Sequence, residues 1–149
     1  MFKITPFILF LLLILPINIF AAPDSENKKD LIVPIVNAQN SQGSISKNGL
    51  SAIFKMRLRQ WEDGTPITVF VLEDDNPIHK RFCKEILNVF SHQVRRAWNK
   101  LVFSGSGQAP IELVSKEAML KKVINTPGAI GYMPMKNLID EIKPLYIQQ

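Results

Sequence analysis

The sequence contains one cysteine and two histidines, and these shortages exclude several classes of protein. A single cysteine cannot form an internal disulfide, so stability has to come from burial of an apolar core. One cysteine and two histidines without ligand spacing do not make a zinc site. No nucleophile motif or catalytic triad can be recognised. We therefore expect a protein that is not an enzyme and that needs neither a metal ion nor a cofactor.

The excess of positive over negative charge is also small. Eighteen basic and thirteen acidic residues leave a formal net charge of +5, and the basic residues are scattered rather than clustered. Such a distribution is typical of a solvated surface and argues against a nucleic-acid partner.

The first residues have the order of features that is typical of a secretory signal peptide. Lys3 provides the positive start, residues 7–15 form an uninterrupted apolar run, and small residues follow at 21–22. We predict cleavage after Ala21, because a cut after Ala22 would leave Pro23 at the new terminus. A membrane-spanning helix needs about 20 apolar residues, which favours cleavage over an uncleaved anchor. The predicted location is the periplasm, with membrane contact only through the signal before cleavage.

Cleavage after residue 21 of the 149 leaves 128 residues, which is enough for one domain but too few for two. Residues 22–30 are polar and charged, so we predict a disordered leader there. Residues 31–149 are predicted to form the single folded domain.

Strand-like and helix-like segments alternate along this domain, which predicts an α/β fold with a mixed or mainly parallel sheet flanked by helices. The predicted strands cover residues 31–36, 67–72, 111–114, 129–133 and 145–147. Pro34 places the first of them at an edge or a break. The predicted helices cover residues 49–58, begin after the N-caps Asn76, Ser91 and Ser115, and add one turn at 137–142. Trp61, Trp98 and Cys83 are expected in the core, and both histidines on polar helix faces.

Two short segments carry the residues that could bind a ligand. The first is the helix start at Asp74 and Asn76, followed by His79 and Arg81, where a polar ligand would meet backbone N–H groups and the helix dipole. The alternative is that Asn76 only caps the helix and Asp74 only favours its positive end. The second segment is the loop at Ser104 and Gly105, which would form a backbone nest for an anion or simply a flexible connection.

Three segments, in this order, resemble the periplasmic phosphate-type substrate-binding proteins of ABC transporters, which have a PBP-like domain. The first comprises residues 49–54 and the Trp-Glu-Asp-Gly-Thr-Pro-Ile sequence at 61–67. The second is Trp98 with Leu-Val-Phe-Ser-Gly-Ser-Gly-Gln at 101–108. The third and most specific is Thr-Pro-Gly-Ala-Ile-Gly-Tyr at 126–132.

The resemblance implies a solute-binding fold of which this chain supplies one lobe, since family members have two lobes that grip the ligand in a cleft. The family's anion site begins with an Asp that matches Asp74. Asn76 stands in place of a Ser, Pro77 in place of a Gly donor, and Ile78 in place of a Thr. Two functions stay open: binding and transport of a small oxyanion, or an interaction module that contacts another envelope protein. A homo-oligomer in which a second copy supplies the other lobe also stays open.

Overall fold

A computed structural model describes residues 30–148. The predicted signal peptide, and the predicted leader apart from Asp30, lie outside the described residues. The strands are β1 (Ile32–Asn37), β2 (Ser44–Ser46), β3 (Thr68–Leu72), β4 (Ile111–Leu113), β5 (Ala129–Pro134), β6 (Ile142–Pro144) and β7 (Tyr146–Gln148). The helices are α1 (Lys47–Phe54), α2 (Pro77–Arg81), α3 (Ser91–Phe103) and α4 (Lys116–Asn125), with a π-helical turn at Phe82–Ile86 and a 3-10 turn at Met135–Asn137.

The main sheet has five strands in the order β4-β3-β5-β1-β6. Strand β3 is parallel to both β4 and β5, whereas β1 is antiparallel to its neighbours β5 and β6. Strands β2 and β7 form a separate parallel pair. The predicted α/β class with a mixed sheet is confirmed, and the carboxyl ends of β3 and β4 meet at one edge of that sheet.

The prediction that Pro34 marks a sheet edge or break is wrong, because β1 is an interior strand. Its residues pair with β5 on one side and with β6 on the other. The Pro34 carbonyl accepts the Leu145 N–H at 2.9 Å, so this residue's hydrogen-bonding side faces away from β5. Proline lacks an N–H, but at position 34 that group would point past the end of the β6 ladder, which begins at Ile35. No hydrogen bond between β1 and β5 is therefore lost.

Close packing between α4 and β5 depends on Gly131. A methyl group added at this position would lie 2.4 Å from the Met119 sulfur and 3.2 Å from a Val123 methyl. The core includes the two tryptophans, as predicted: the Trp98 indole donates to the Phe54 carbonyl at 2.7 Å, and the Trp61 indole donates to the Gly128 carbonyl at 3.0 Å.

Three other local predictions need correction. The predicted helical turn at residues 137–142 is a 3-10 turn followed by β6, and Ile142 is buried in the sheet against Asn37. Residues 37–48 are polar and read as a loop, but they contain strand β2, which is only three residues long and too short to give a strand pattern. Helix α3 begins at Ser91 rather than after it, and the Gln93 side chain accepts the Phe90 N–H at 2.9 Å.

Within residues 30–148, each helix is too short or too polar to cross a bilayer.

Candidate functional site

The first candidate segment lies at the carboxyl edge of β3, where the chain turns into α2. Asn76 caps this helix as predicted, since its side-chain oxygen accepts the Ile78 N–H at 2.9 Å. Pro77 occupies the first helical position and has no N–H to offer. The first two amides of a potential anion cradle are therefore absent or already bonded. The helix is only five residues long before the π-helical turn, which limits its dipole.

Asp74 is held by an ion pair that the sequence does not reveal. The Arg95 guanidinium of α3 donates to both carboxylate oxygens, at 2.8 and 3.0 Å, and it also contacts the Glu112 carboxylate of β4. These hydrogen bonds raise the pKa of Arg95, with burial acting in the opposite direction. The guanidinium carbon also lies 5.0 Å from the Trp98 ring centre. Two carboxylates and one aromatic ring thus satisfy the Arg95 charge at this edge of β3 and β4.

His79 is a core residue, which corrects the prediction that it lies on a polar helix face. It is 1% exposed and shares the buried side of its helix with Phe82 and Cys83. Its Nδ1 lies 2.5 Å from the Tyr132 hydroxyl, which also accepts the Leu72 N–H at 2.8 Å. Because the hydroxyl accepts from Leu72, we assign its proton to the hydrogen bond with Nδ1, which places the ring proton on Nε2.

The Nε2 side of His79 faces sulfur and a carboxylate. Cys83 Sγ lies at 3.5 Å, whereas Asp74 Oδ1 lies at 3.7 Å, too far for a direct hydrogen bond. Burial lowers the pKa of His79, reinforced by the Arg95 charge and opposed by the Asp74 charge. Burial also raises the pKa of Cys83 to about 12 and holds that of Tyr132 well above its usual value. Neutral His79 thus stabilises the core and does not open to a ligand.

Arg81 points away from the start of its own helix. Its guanidinium donates to the Asp30 carbonyl at 2.7 Å and to the Glu85 carboxylate at 3.2 and 3.3 Å. It therefore tethers the beginning of β1 to the helix. Neither of these contacts involves Asp74 or Asn76.

Ser104 and Gly105 lie at the other end of α3 from Arg95. Ser104 follows Arg95 by nine positions along α3, so the two residues lie about 13 Å apart along the helix axis. The Ser104 hydroxyl lies 2.6 Å from that of Ser106, and Gly105 adopts a positive φ of 65°. A groove of about 570 Å³ runs beside this loop, where Arg59 donates to the Ser106 carbonyl at 2.9 Å. The six predicted site residues are therefore divided among four places: the start of α2, the core, the contact with Asp30 and the end of α3.

The residues missed from the sequence are Arg95, Glu112 and Tyr132. Arg95 belongs to a polar helix face that reads as solvated, and only the pairing of β3 with β4 brings Glu112 beside it. A tyrosine in an otherwise small and apolar strand was a usable signal, because a buried hydroxyl needs a partner. Within residues 30–148, no group of three or more His, Cys, Asp and Glu side chains is arranged to hold a metal ion.

Known proteins with this architecture include several receptors for phosphate. A phosphate ABC transporter substrate-binding protein from Clostridium perfringens, solved with bound phosphate, is 16% identical with a TM-score of 0.64 over 78% of this chain and 44% of its own. A phosphate transport receptor from Vibrio cholerae is 15% identical, with a TM-score of 0.61 over 78% and 45%. PstS from Borrelia burgdorferi is 18% identical, with a TM-score of 0.62 over 80% and 48%.

These likenesses establish the fold, and this chain spans less than half the length of each of the three proteins. The match therefore covers a single lobe of them. No curated protein sequence matches the chain. Residues 28–145 match the PBP superfamily domain, which accounts for most of the sequence. The chain belongs to the PBP superfamily domain family.

Proposed function

We propose that this chain is an exported interaction module of the bacterial envelope, built on a solute-binding lobe whose oxyanion site is closed. The observation that carries this proposal is the two-point ion pair between Asp74 and Arg95. Its position at the start of α2 is the one that the family resemblance assigns to anion binding.

An oxyanion at this position would meet few free donors. Pro77 has no N–H, and the Ile78 N–H already donates to Asn76. Arg95, the cation that contacts Asp74, already bonds to Asp74 and Glu112. An incoming phosphate would have to displace a bound carboxylate and then remain beside it, at an unfavourable Coulomb energy. The arrangement therefore supports a lobe that does not bind phosphate tightly.

The same edge of the sheet presents a surface suited to a protein partner. Val114 directly follows β4 and is 75% exposed, and Glu73 and Asp75, which follow β3, are both exposed. An apolar side chain next to exposed carboxylates complements a partner segment that carries both apolar and basic residues. We propose that this surface, defined by Glu73, Asp75 and Val114, contacts an envelope protein of that chemistry. The predicted signal peptide would deliver the chain to the periplasm, where such a partner would lie.

Two measurements test this function. The thermal midpoint of the purified chain should stay constant when phosphate or sulfate is added, because a ligand that binds the folded state raises the midpoint by mass action. A photo-crosslinking residue at position 114, introduced in the native host, should yield one discrete adduct. The same residue at exposed position 121 on α4 should not, and the charge reversal Asp75→Lys should abolish the adduct at 114.

Binding of a small oxyanion is the second candidate function, favoured by the phosphate bound in the Clostridium perfringens structure. A saturable rise in thermal midpoint with phosphate would support that candidate over the interaction module. Equal adducts at positions 114 and 121 would also contradict the proposed surface.

A further inference from the structure

The outer face of α3 carries an exposed phenylalanine among basic residues. Phe103, in the last turn of the helix, is 87% exposed, more than any other large apolar side chain among the described residues. Arg96 and Lys100 precede it by seven and three positions, so the helical repeat places the three side chains on one face. That face lies opposite the buried stripe that contains Val94 and Trp98. Packing of the core therefore gives no reason for an apolar ring at position 103.

A second aromatic side chain lies at the other end of the same face. Phe90, which precedes the helix, is 59% exposed, and its ring stacks on that of His92 with 5.7 Å between centres. His92 precedes Arg96 by four positions and therefore lies on the same face. Phe103 follows His92 by eleven positions, so the two residues lie about 16 Å apart along the helix axis. The face is thus basic in its middle and aromatic at both ends.

The positive charge of this face is not neutralised within the domain. Residues 86–111 contain neither Asp nor Glu. Within residues 30–148, neither Arg96 nor Lys100 forms an ion pair. Exposed basic residues without an acidic neighbour create a positive potential that attracts an anionic partner.

A further basic residue lies beside the end of the helix. Arg59 is exposed and belongs to residues 47–61, a second stretch without Asp or Glu. Its guanidinium donates to the Ser106 carbonyl at 2.9 Å and to the Met56 carbonyl at 3.3 Å. Both of these acceptors are neutral, so the charge of Arg59 adds to the positive potential at this end of α3.

Helices α3 and α4 lie on opposite sides of the main sheet. A side chain at Gly131 of β5 would point into α4, against the Met119 sulfur. The next residue, Tyr132, therefore points to the other side of the sheet. On that side the His79 ring lies 5.8 Å from the Tyr132 ring and 6.2 Å from the Trp98 ring of α3. Exposed residues of α4 are thus remote from the outer face of α3.

A lipid surface fits this face better than a protein surface does. The outer side of a helix is convex and Phe103 projects from it, so a protein partner would need a matching pocket, whereas a fluid bilayer closes around a projecting ring. Phenylalanine rings enter the boundary between headgroups and acyl chains, and neighbouring Lys and Arg side chains are attracted to anionic lipids.

We propose that the outer face of α3, defined by Phe90, Arg96, Lys100 and Phe103, binds the surface of an anionic phospholipid bilayer. Phe103 enters the headgroup region, and the basic side chains pair with lipid phosphates. The attachment is reversible, because it buries little apolar area and because salt screens its charges. This inference goes beyond the proposed function and does not rest on it, since the two surfaces share no residue. It adds a membrane contact to the one that the predicted signal peptide provides.

The test is co-sedimentation of the purified chain with vesicles of phosphatidylcholine, either alone or mixed with an equal part of phosphatidylglycerol. Wild type should bind the mixed vesicles more strongly than the neutral ones at low salt, and this difference should disappear at high salt. Equal binding to both kinds of vesicle at low salt, or no binding to the mixed vesicles, would overturn the proposal.

Two pairs of variants locate the contact. Phe103→Ser should weaken binding to the mixed vesicles about tenfold, the factor for an aromatic side chain that no longer leaves water. Tyr146→Ser, at an exposed aromatic residue of β7, should leave binding unchanged. Lys100→Glu should weaken binding at least about fivefold, the effect of one basic residue near an anionic surface. Lys121→Glu on α4 makes the same change in net charge and should have little effect.

Equal effects within either pair would overturn the proposal, because all four variants share the same N-terminal residues and differ only in the folded domain. Circular dichroism reports whether they fold. An independent readout is Phe103→Trp, whose emission should shift to shorter wavelength with the mixed vesicles, since the native Trp61 and Trp98 are buried. Tyr146→Trp should show no such shift. Identical spectra of Phe103→Trp with and without the mixed vesicles would also contradict the proposed contact.

Discussion

Replacing Tyr132 by Phe would remove one hydroxyl from the centre of the domain and leave the ring in place. The residue is fully buried, and its ring stacks on that of Phe82 with 4.0 Å between centres. The hydroxyl accepts the Leu72 N–H at 2.8 Å and bonds His79 Nδ1 at 2.5 Å. The substitution therefore leaves one buried donor and one buried acceptor unpaired.

The expected cost follows from those two orphaned groups. Each buried polar group that loses its partner costs about 1–3 kcal/mol, so we expect the loss of both partners to lower the free energy of unfolding by about 2–6 kcal/mol. For a domain of this size, 1 kcal/mol corresponds to roughly 4 °C in thermal midpoint, so the midpoint should fall by about 8–24 °C. Packing of the ring should contribute little, because no carbon atom is removed.

Urea unfolding, followed by tryptophan fluorescence, measures this cost directly. The midpoint concentration should decrease while the slope stays constant, since the surface exposed on unfolding is nearly unchanged. Tyr146→Phe is the matched control: Tyr146 is 67% exposed, and its loss should change stability by no more than about 0.5 kcal/mol. If Tyr132→Phe were as stable as this control, the hydroxyl would not hold the network together.

Three further outcomes follow from the same packing. Burial lowers the pKa of His79, so only the unfolded chain takes up a proton there as the pH falls below the ordinary value of 6.5. The contribution of His79 to the free energy of unfolding should therefore be complete above pH 6.5 and decline toward the lower folded-state pKa. Urea unfolding of wild type and His79→Gln between pH 7.5 and 5 should show a steeper loss of stability in wild type. Gly128→Ala should lower the free energy of unfolding by about 3 kcal/mol or more in the same assay, since a methyl group would lie 2.2 Å from the Pro66 carbonyl oxygen. Gly64→Ala, at a similar φ but with open space around it, should cost only about 1 kcal/mol. Equal costs for the two variants would refute the contact at Gly128. Cys83, buried with a pKa of about 12, should resist iodoacetamide at neutral pH and react in urea, as mass spectrometry would show; rapid labelling of the folded chain would contradict its burial.

Local signals in the sequence predicted much of the fold. Asn76 followed by Pro77 marks the start of α2, and Ser115 accepts the Ala118 N–H at the start of α4, because a cap is decided by residues two or three positions apart. Gly128, at positive φ, lies in the turn between α4 and β5, within the segment that most specifically resembles the family. Such features need no knowledge of distant parts of the chain.

Features that depend on distant partners were not predictable in this way. His79 reads as polar until Tyr132, 53 residues further on, provides the hydrogen bond that permits its burial. Arg95 reads as solvated until the sheet brings Asp74 and Glu112 to it. Pro34 reads as an edge signal, but the strand pairing shows that its nitrogen lies where no hydrogen bond to β5 is lost. The same limit applies to the candidate site, because long-range pairing decides which of its charges are free.

A crystal structure of the purified chain, grown with saturating phosphate, tests most directly whether the Asp74–Arg95 ion pair closes the oxyanion site. We predict that Arg95 still bonds both oxygens of Asp74 and that no phosphate lies at the start of α2. A phosphate ion held there by backbone amides, with Arg95 turned from Asp74 toward the ion, would contradict the closed site on which the proposed function rests.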